Sequence, residues 1–388
     1  MRIPSNGIET LGELAEIFNL PVDLISDSNR DEFIQGAVPR GTINIPGYTL
    51  LPGRHINWES VKIAIGQQLD ALKTNSSIGR FLQEREFIPW KITSPCILGR
   101  MAYSSVILER DLEILKEAYP FITLTEIGKS VLGNPIKEVK IGRGKKKLHF
   151  NASFHANEWI TSGILMDLMN AYLLALTNNY LICGIGAMSV YNTVELSVVP
   201  MVNPDGVNLV LEGPMKSQEN RLMNINHDNR DFSGWKANIN GVDLNNQFPA
   251  NWEIEKKRKE PKSPAPRDYP GNRPLSEPEA LAMAKLVENG NFDMVFAFHT
   301  QGEEFYWGYN GKEPEESLKI ASILSSCSGY KAVRTIDSHA GFKDWFIQEY
   351  NRPGFTIELG KGINPLPLSQ FDKIYDNVRG LFFSALTL

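Results

Sequence analysis

Cysteine is scarce in this chain: Cys96, Cys183 and Cys327 are the only three among 388 residues. The number is odd, the spacings are wide and no CxxC occurs, which argues against a disulfide framework or a thiolate zinc site. Positive charge is not in excess either. Forty Lys and Arg against 45 Asp and Glu leave a net charge of −5. A broad nucleic-acid surface needs a positive field to displace counterions, so no nucleic-acid partner is expected. The basic runs at Gly144–Lys147 and Lys256–Lys259 are too short to change this and read as solvated loops. No uninterrupted apolar stretch approaches the roughly 18 residues of a membrane span. The opening MRIPSNGIETLGEL lacks a basic region followed by an apolar one, so it does not read as a secretory signal. The expectation is a cytoplasmic product with no membrane partner. No GxGxxG or GxSxG is present, and IGKS lacks the preceding glycine of a P-loop, which argues against a nucleotide-dependent enzyme. Histidine is also rare, at six residues.

What is present is ordinary globular material, 42% hydrophobic and 22% charged. The length suits one large domain plus smaller modules. Residues 1–49 and 50–96 read as two such modules. In the first, TLGELAEIFNL places Leu11, Leu14, Ala15 and Phe18 on one helical face. Pro21 then suits the start of a second short helix, PVDLISDSN, and GTINIPGY reads as a strand. The second module is a degenerate echo at a period of about 45 residues. There NWESVKIAIGQQLDALKTNSS repeats the amphipathic pattern and EFIPWKI the closing strand. On TLGELAEIFNLPVDLISDSN and VPRGTINIPGY, the first module resembles a LysM domain, a βααβ fold that binds N-acetylglucosamine-containing glycans. The resemblance implies glycan binding; the second copy departs further from the pattern.

From residue 100 to 388 the texture changes. LERDLEILKEAYP is an amphipathic helix, PIKEVKIG and LHFNASF are strands, and TSGILMDLMNAYLLALT is a largely apolar helix. VELSVVPMV, FDMVFAFHT and GFTIELG are short, nearly continuous apolar runs suited to strands buried on both faces. Strands alternating with helices predict an α/β domain with a mixed, mostly parallel central sheet flanked by helices. Ligands of such sheets sit beyond the carboxyl ends of strands. Polar groups follow the apolar runs there: His155 and Glu158 after LHFNASF, NPDG (203–206) after VVPMV, His299 after MVFAF and Glu358 after FTI. A separation of three lets His155 and Glu158 face one ion from a single turn. Imidazole nitrogen and carboxylate oxygen are both zinc donors, and His299 is the natural third. Three protein ligands leave a position open, the pattern of a catalytic zinc site.

The blocks HANEW, VNPDGV, GVDLNNQFP, PLSEPEA, FAFHTQG and FTIELG occur in order over residues 105–388. They resemble the M14 zinc carboxypeptidase family. The resemblance implies one zinc ion held by His155, Glu158 and His299. It implies that Glu358 is the general base, taking a proton from the attacking water and delivering it to the leaving amine. Lys236, in GWKAN, falls where the family has an oxyanion-stabilising arginine. Asn245 matches the asparagine of the family's carboxylate-binding pair, but Asn246 replaces its arginine partner, and Asn157 replaces a second arginine within the metal motif. His339 replaces a mobile tyrosine. Bidentate arginine is the usual device for a carboxylate, so these losses point away from ordinary carboxypeptidase action. With LysM-like modules ahead of it, the chain is similar to the LysM-bearing branch that opens the γ-D-glutamyl–diaminopimelate bond of peptidoglycan stem peptides. The expected partner is therefore a peptidoglycan-derived peptide. Muropeptide recycling, or release by mother-cell lysis during sporulation, would reconcile that substrate with the missing export signal. A metallocarboxypeptidase on ordinary peptides, a zinc deacylase of N-acyl amino acids, and a cell-wall-binding protein with a retired peptidase domain are the alternatives.

Overall fold

The structure, a computed structural model, describes residues 1–5, 10–30, 41–52 and 87–388. The chain divides into two units: Met1–Ile97, Arg110–Thr123 and Met169–Tyr191 form one, and Leu98–Glu109, Leu124–Leu168 and Asn192–Leu388 the other.

The first unit begins with the order strand, helix, helix, strand. Strand Arg2–Pro4 pairs antiparallel with Thr42–Asn44, Ile3 opposite Ile43. Helix Leu11–Phe18 starts where the Thr10 hydroxyl accepts from Glu13 N at 3.2 Å. Leu14, Ile17 and Phe18 give it one buried face. It stops at Asn19, which adopts the left-handed conformation that ends many helices. Pro21 then leads into helix Val22–Asp27, as its fixed φ favours. Strand Tyr48–Pro52 pairs antiparallel with Phe87–Lys91. The helical part expected of the second module lies at residues 53–86, outside the described residues.

The second unit is built on an eight-stranded sheet. In chain order its strands are β1 (Thr123–Lys129), β2 (Pro135–Ile141), β3 (Lys146–Ala152), β4 (Val194–Val199), β5 (Met294–His299), β6 (Glu304–Tyr306), β7 (Lys331–Val333) and β8 (Gly354–Glu358). Their spatial order is β7-β6-β8-β5-β3-β4-β2-β1. The pairs β8–β5, β5–β3, β3–β4 and β6–β7 are parallel, whereas β6–β8 and β4–β2 are antiparallel. This is the mixed, mostly parallel sheet expected, and every residue of β5 is buried. Phe150, Phe296 and Phe355 occupy matching positions on β3, β5 and β8 and stack at 4.4 and 5.1 Å between centroids. Such a ladder fixes register as well as burying area.

Helix Ile160–Thr177 is, by length and composition, apolar enough to cross a membrane. Asp167 and Asn170 interrupt its apolar run, and 89% of its window is buried, so it is a core helix. The parallel strands β4, β3, β5 and β8 all end on one edge of the sheet. His299 is the register partner of Glu358 at that edge.

Candidate metal centre

Beyond β3 the chain turns at Ser153, whose φ of +50° disfavours a residue with a Cβ. Neighbouring hydroxyls hold the turn. Ser153 N donates to Thr161 Oγ1 at 3.1 Å, Ser153 Oγ lies 2.7 Å from Ser162 Oγ, and Thr161 Oγ1 donates to Glu158 O at 2.7 Å. Ala156–Glu158 then form one 3₁₀ turn with His155 at its N-cap. Three residues per turn eclipse positions i and i+3. The spacing of three therefore brings His155 Nδ1 to 2.9 Å from Glu158 Oε1. From the end of β5, His299 Nδ1 lies 3.0 Å from both His155 Nδ1 and Glu158 Oε2. All three side chains are buried. Helix Pro204–Glu212 seals the turn from outside. A Cβ at Gly206 would meet Asn203 Oδ1 at 2.6 Å and the Ala156 Cβ at 2.8 Å, so only glycine fits there.

A fourth residue, unassigned from sequence, completes the arrangement. Asp243 Oδ1 is 3.2 Å from His155 Nε2, and Asp243 Oδ2 is 3.4 Å from Lys236 Nζ. A carboxylate behind an imidazole fixes its tautomer and aims the opposite nitrogen at a metal. The only sequence signal for it was its place in the GVDLNN block. Burial alone would raise the Glu158 and Asp243 carboxyls. His155 and His299 around Glu158, and Lys236 and His155 around Asp243, hold both well below the usual range. Burial opposes charge on Lys236 and His155, but adjacent carboxylates outweigh it and raise both. At His299 burial wins and the imidazole pKa is lowered.

Glu358 stands at the mouth of this cluster. Burial, reinforced by the negative charge of Glu158, pushes its carboxyl up to about 8. His155, His299, Lys236, Asn245, Asn246 and Glu358 share one cavity. Asn245 has a second task, since its Oδ1 accepts from Phe342 N at 2.9 Å and anchors the helix Phe342–Tyr350. Two expected substrate-binding residues lie elsewhere. Asn157 is buried within the 3₁₀ turn and does not line the cavity. His339 is also off the wall; its Nδ1 is 2.9 Å from Tyr309 OH, which holds the ring aside. The NPDG block proves to be scaffold. Asn203 caps its helix through Gly206 N and donates to Phe154 O and Ala237 O, while Asp205 accepts from Ser130, Leu132 and Asn134. Lys259, in the run read as solvated loop, lines the cavity.

Among the described residues, His155, Glu158 and His299 form one group whose ligand atoms all lie within 4.8 Å of one another. The donor set fits zinc: two imidazoles, an ionised carboxylate, and a carboxylate orienting one imidazole. Such a centre at the carboxyl edge of a mixed α/β sheet defines a one-metal hydrolase. The zinc carboxypeptidase family matches residues 108–379, and the chain belongs to it. It is a zinc metallopeptidase with a carboxypeptidase-like fold. The chain is 45% identical to gamma-D-glutamyl-L-diamino acid endopeptidase 1 of Lysinibacillus sphaericus over 98% of both chains. It is 47% identical to the protein YqgT of Bacillus subtilis (strain 168) over 81% of this chain and 84% of that one. Among solved structures, that of thrombin activatable fibrinolysis inhibitor superposes with a TM-score of 0.61 at 15% identity, covering 88% of this chain and 97% of that one. At that identity the match speaks for the fold alone.

Proposed function

We propose that the protein hydrolyses the amide joining a γ-D-glutamyl residue to a diamino acid, such as diaminopimelate, in peptidoglycan stem peptides. The observation that carries the chemistry is the convergence of His155, His299, Asp243, Lys236 and Glu358 on one cavity, with the Glu158 carboxylate against both imidazoles. The substrate class is supported by the 45% identity, across nearly the whole chain, to a gamma-D-glutamyl-L-diamino acid endopeptidase.

In this reading His155 and His299 present Nδ1, and Glu158 its carboxylate, to zinc. When bound, the ion supplies Lewis acidity, activating water and polarising the scissile carbonyl. Asp243 holds His155 in the tautomer that leaves Nδ1 free. Glu358 takes a proton from the attacking water and returns it to the leaving amine nitrogen. The Lys236 ammonium, steadied by Asp243, offsets charge developing on the carbonyl oxygen. It does so as a point charge, less directionally than guanidinium. The β-α-α-β module at residues 1–49 supplies a glycan contact that keeps the enzyme near wall-derived material.

A panel of defined stem peptides, with products identified by mass spectrometry, tests the reading. Release of the diamino acid should stop with a chelator. In Glu358→Gln it should fall about 100- to 10,000-fold while zinc content stays unchanged. Full activity in that variant would overturn the mechanism. A peptide with a blocked C-terminus should still be cut. Strict dependence on a free C-terminus would favour an ordinary carboxypeptidase, against which the asparagine at 246, on the cavity wall, already weighs.

A further inference from the structure

The block PLSEPEA has no place in the chemistry above, yet its two glutamates meet on one amide. Asn238 Nδ2 donates to Glu277 Oε2 at 2.8 Å and to Glu279 Oε2 at 3.2 Å, which uses both of its protons. Asn238 Oδ1 accepts from Asn240 N at 3.0 Å and from Val242 N at 3.1 Å, so this side chain has no capacity left. Each carboxylate has a further donor. Asn240 Nδ2 reaches Glu277 Oε2 at 2.9 Å, and Val131 N reaches Glu279 Oε1 at 3.2 Å. Asn238, Glu277 and Glu279 are all buried.

Asn238 sits within the segment that carries Lys236 and Asp243. Residues 236–243 form neither helix nor strand. The segment closes on itself through Asn238 N to Val242 O at 2.8 Å and Gly241 N to Asn238 O at 3.0 Å. Its start is hooked to the metal turn, because Lys236 O accepts from Ala156 N at 3.0 Å. Its end, Asp243, faces both His155 and Lys236. An irregular turn has no ladder of backbone bonds to fix its two ends, and here side chains supply the missing constraint. Withdrawing carboxylates from water for this purpose is costly, and burial pushes the Glu279 carboxyl up to about 7. Apolar side chains would fill the same space at lower cost, but they cannot hold a polar turn by direction.

We infer that Glu277 and Glu279 are positioning residues, which through Asn238 hold the Lys236 ammonium and the Asp243 carboxylate in register with the metal turn. This rests on the roles of Lys236 and Asp243 in the peptidase reading and deepens it. The two glutamates differ in what can replace them. Both Glu279 oxygens accept from fixed N–H groups, so glutamine at 279 sets its own NH₂ against Val131 N or Asn238 Nδ2. Glu277 Oε1 instead meets the Ser276 hydroxyl at 3.0 Å, which can accept as well as donate, so glutamine fits at 277. Both changes remove one buried charge at nearly constant volume, and the contrast between them isolates the hydrogen-bond pattern.

The test uses the full-length zinc enzyme on the alkaline side of the Glu279 value, with rates normalised to bound zinc. Glu279→Gln should lower kcat on a γ-D-glutamyl–diaminopimelate peptide by about 10- to 100-fold, with KM within about twofold, as a small displacement of a transition-state contact does. Glu277→Gln should stay close to wild type, whereas Glu277→Ala should follow Glu279→Gln. In a Lys236→Met background Glu279→Gln should add almost nothing, because the group it positions is gone. Zinc affinity, read by competition with a chelating dye, should fall several-fold in Glu279→Gln and no further once Asp243→Asn is present. Where Glu279→Gln does not fold, Glu277→Ala serves in both cycles, since it leaves Glu279 and Val131 in place. Losses that multiply in both cycles, or equal behaviour of the two glutamine variants, would overturn the inference. So would lower stability in urea with kcat per bound zinc and zinc affinity unchanged. If no peptide is cut, or Lys236→Met loses nothing, the peptidase reading fails instead, and the zinc cycle still judges the brace.

Discussion

The two sides of the cavity are built from different material. The metal side consists of His155, Glu158, His299 and Asp243, all buried. His155, Glu158 and His299 follow directly from a strand end or from a short turn locked by hydroxyls and by the helix at Pro204–Glu212, and Asp243 caps the 3₁₀ turn Leu244–Asn246. The substrate side includes Ile336 and Ser338 from the irregular segment between β7 and helix Phe342–Tyr350. Ile336 is 46% exposed. That segment is tied down through Arg258, which pairs with an Asp337 side chain that is 89% exposed. Donor atoms that must converge to within a few tenths of an ångström are carried by rigid elements, whereas contacts that only select a substrate are carried by loops.

If this division is right, damage should scale with distance from the metal side. The largest effect is expected at Asp243. Asp243→Asn keeps the shape but weakens the hold on His155, and zinc affinity should fall about 10- to 100-fold, read by competition with a chelating dye. An unchanged affinity would mean that the turn alone orients His155. Next comes Gly206→Ala, which forces a methyl group against Asn203 and Ala156. It should cost about 2–3 kcal/mol in urea unfolding and loosen zinc binding as the turn shifts. Stability lost with zinc affinity intact would separate the helix from the site. The smallest effect belongs to the substrate side. Asp337→Ala removes an exposed partner of Arg258 and should change stability by less than about 0.5 kcal/mol, with zinc content unaltered. A large loss there would show that the loop, too, is part of the rigid frame.

The chemistry was legible in the sequence because it is local. His155 and Glu158 sit three apart, and His299 and Glu358 close apolar runs, so strand periodicity alone predicts where they emerge. NPDG follows the same rule yet serves as a helix cap and brace, since a polar group at a strand end can satisfy backbone as readily as it can meet a ligand. The positions of Asn157 and His339 were not legible. Whether a residue inside a turn or loop faces the cavity depends on backbone dihedrals and on partners such as Tyr309, which lie far away in the chain. The same holds for Lys259, which the run KKRK gave no reason to separate from its solvated neighbours.

By itself, then, the sequence determined the strand and helix material, the mixed sheet and a candidate set of metal donors, because hydrophobic period is a property of short segments and the donor residues fall in ordered blocks at their ends. Tertiary structure decided the rest. It set Asp243 behind His155, 88 positions along the chain, closed Gly206 against the metal turn, and placed Lys343 and Asp344 in the same cavity as Glu358. These are long-range encounters, created only when strands β3, β5 and β8 align their ends, and no spacing in the sequence encodes them.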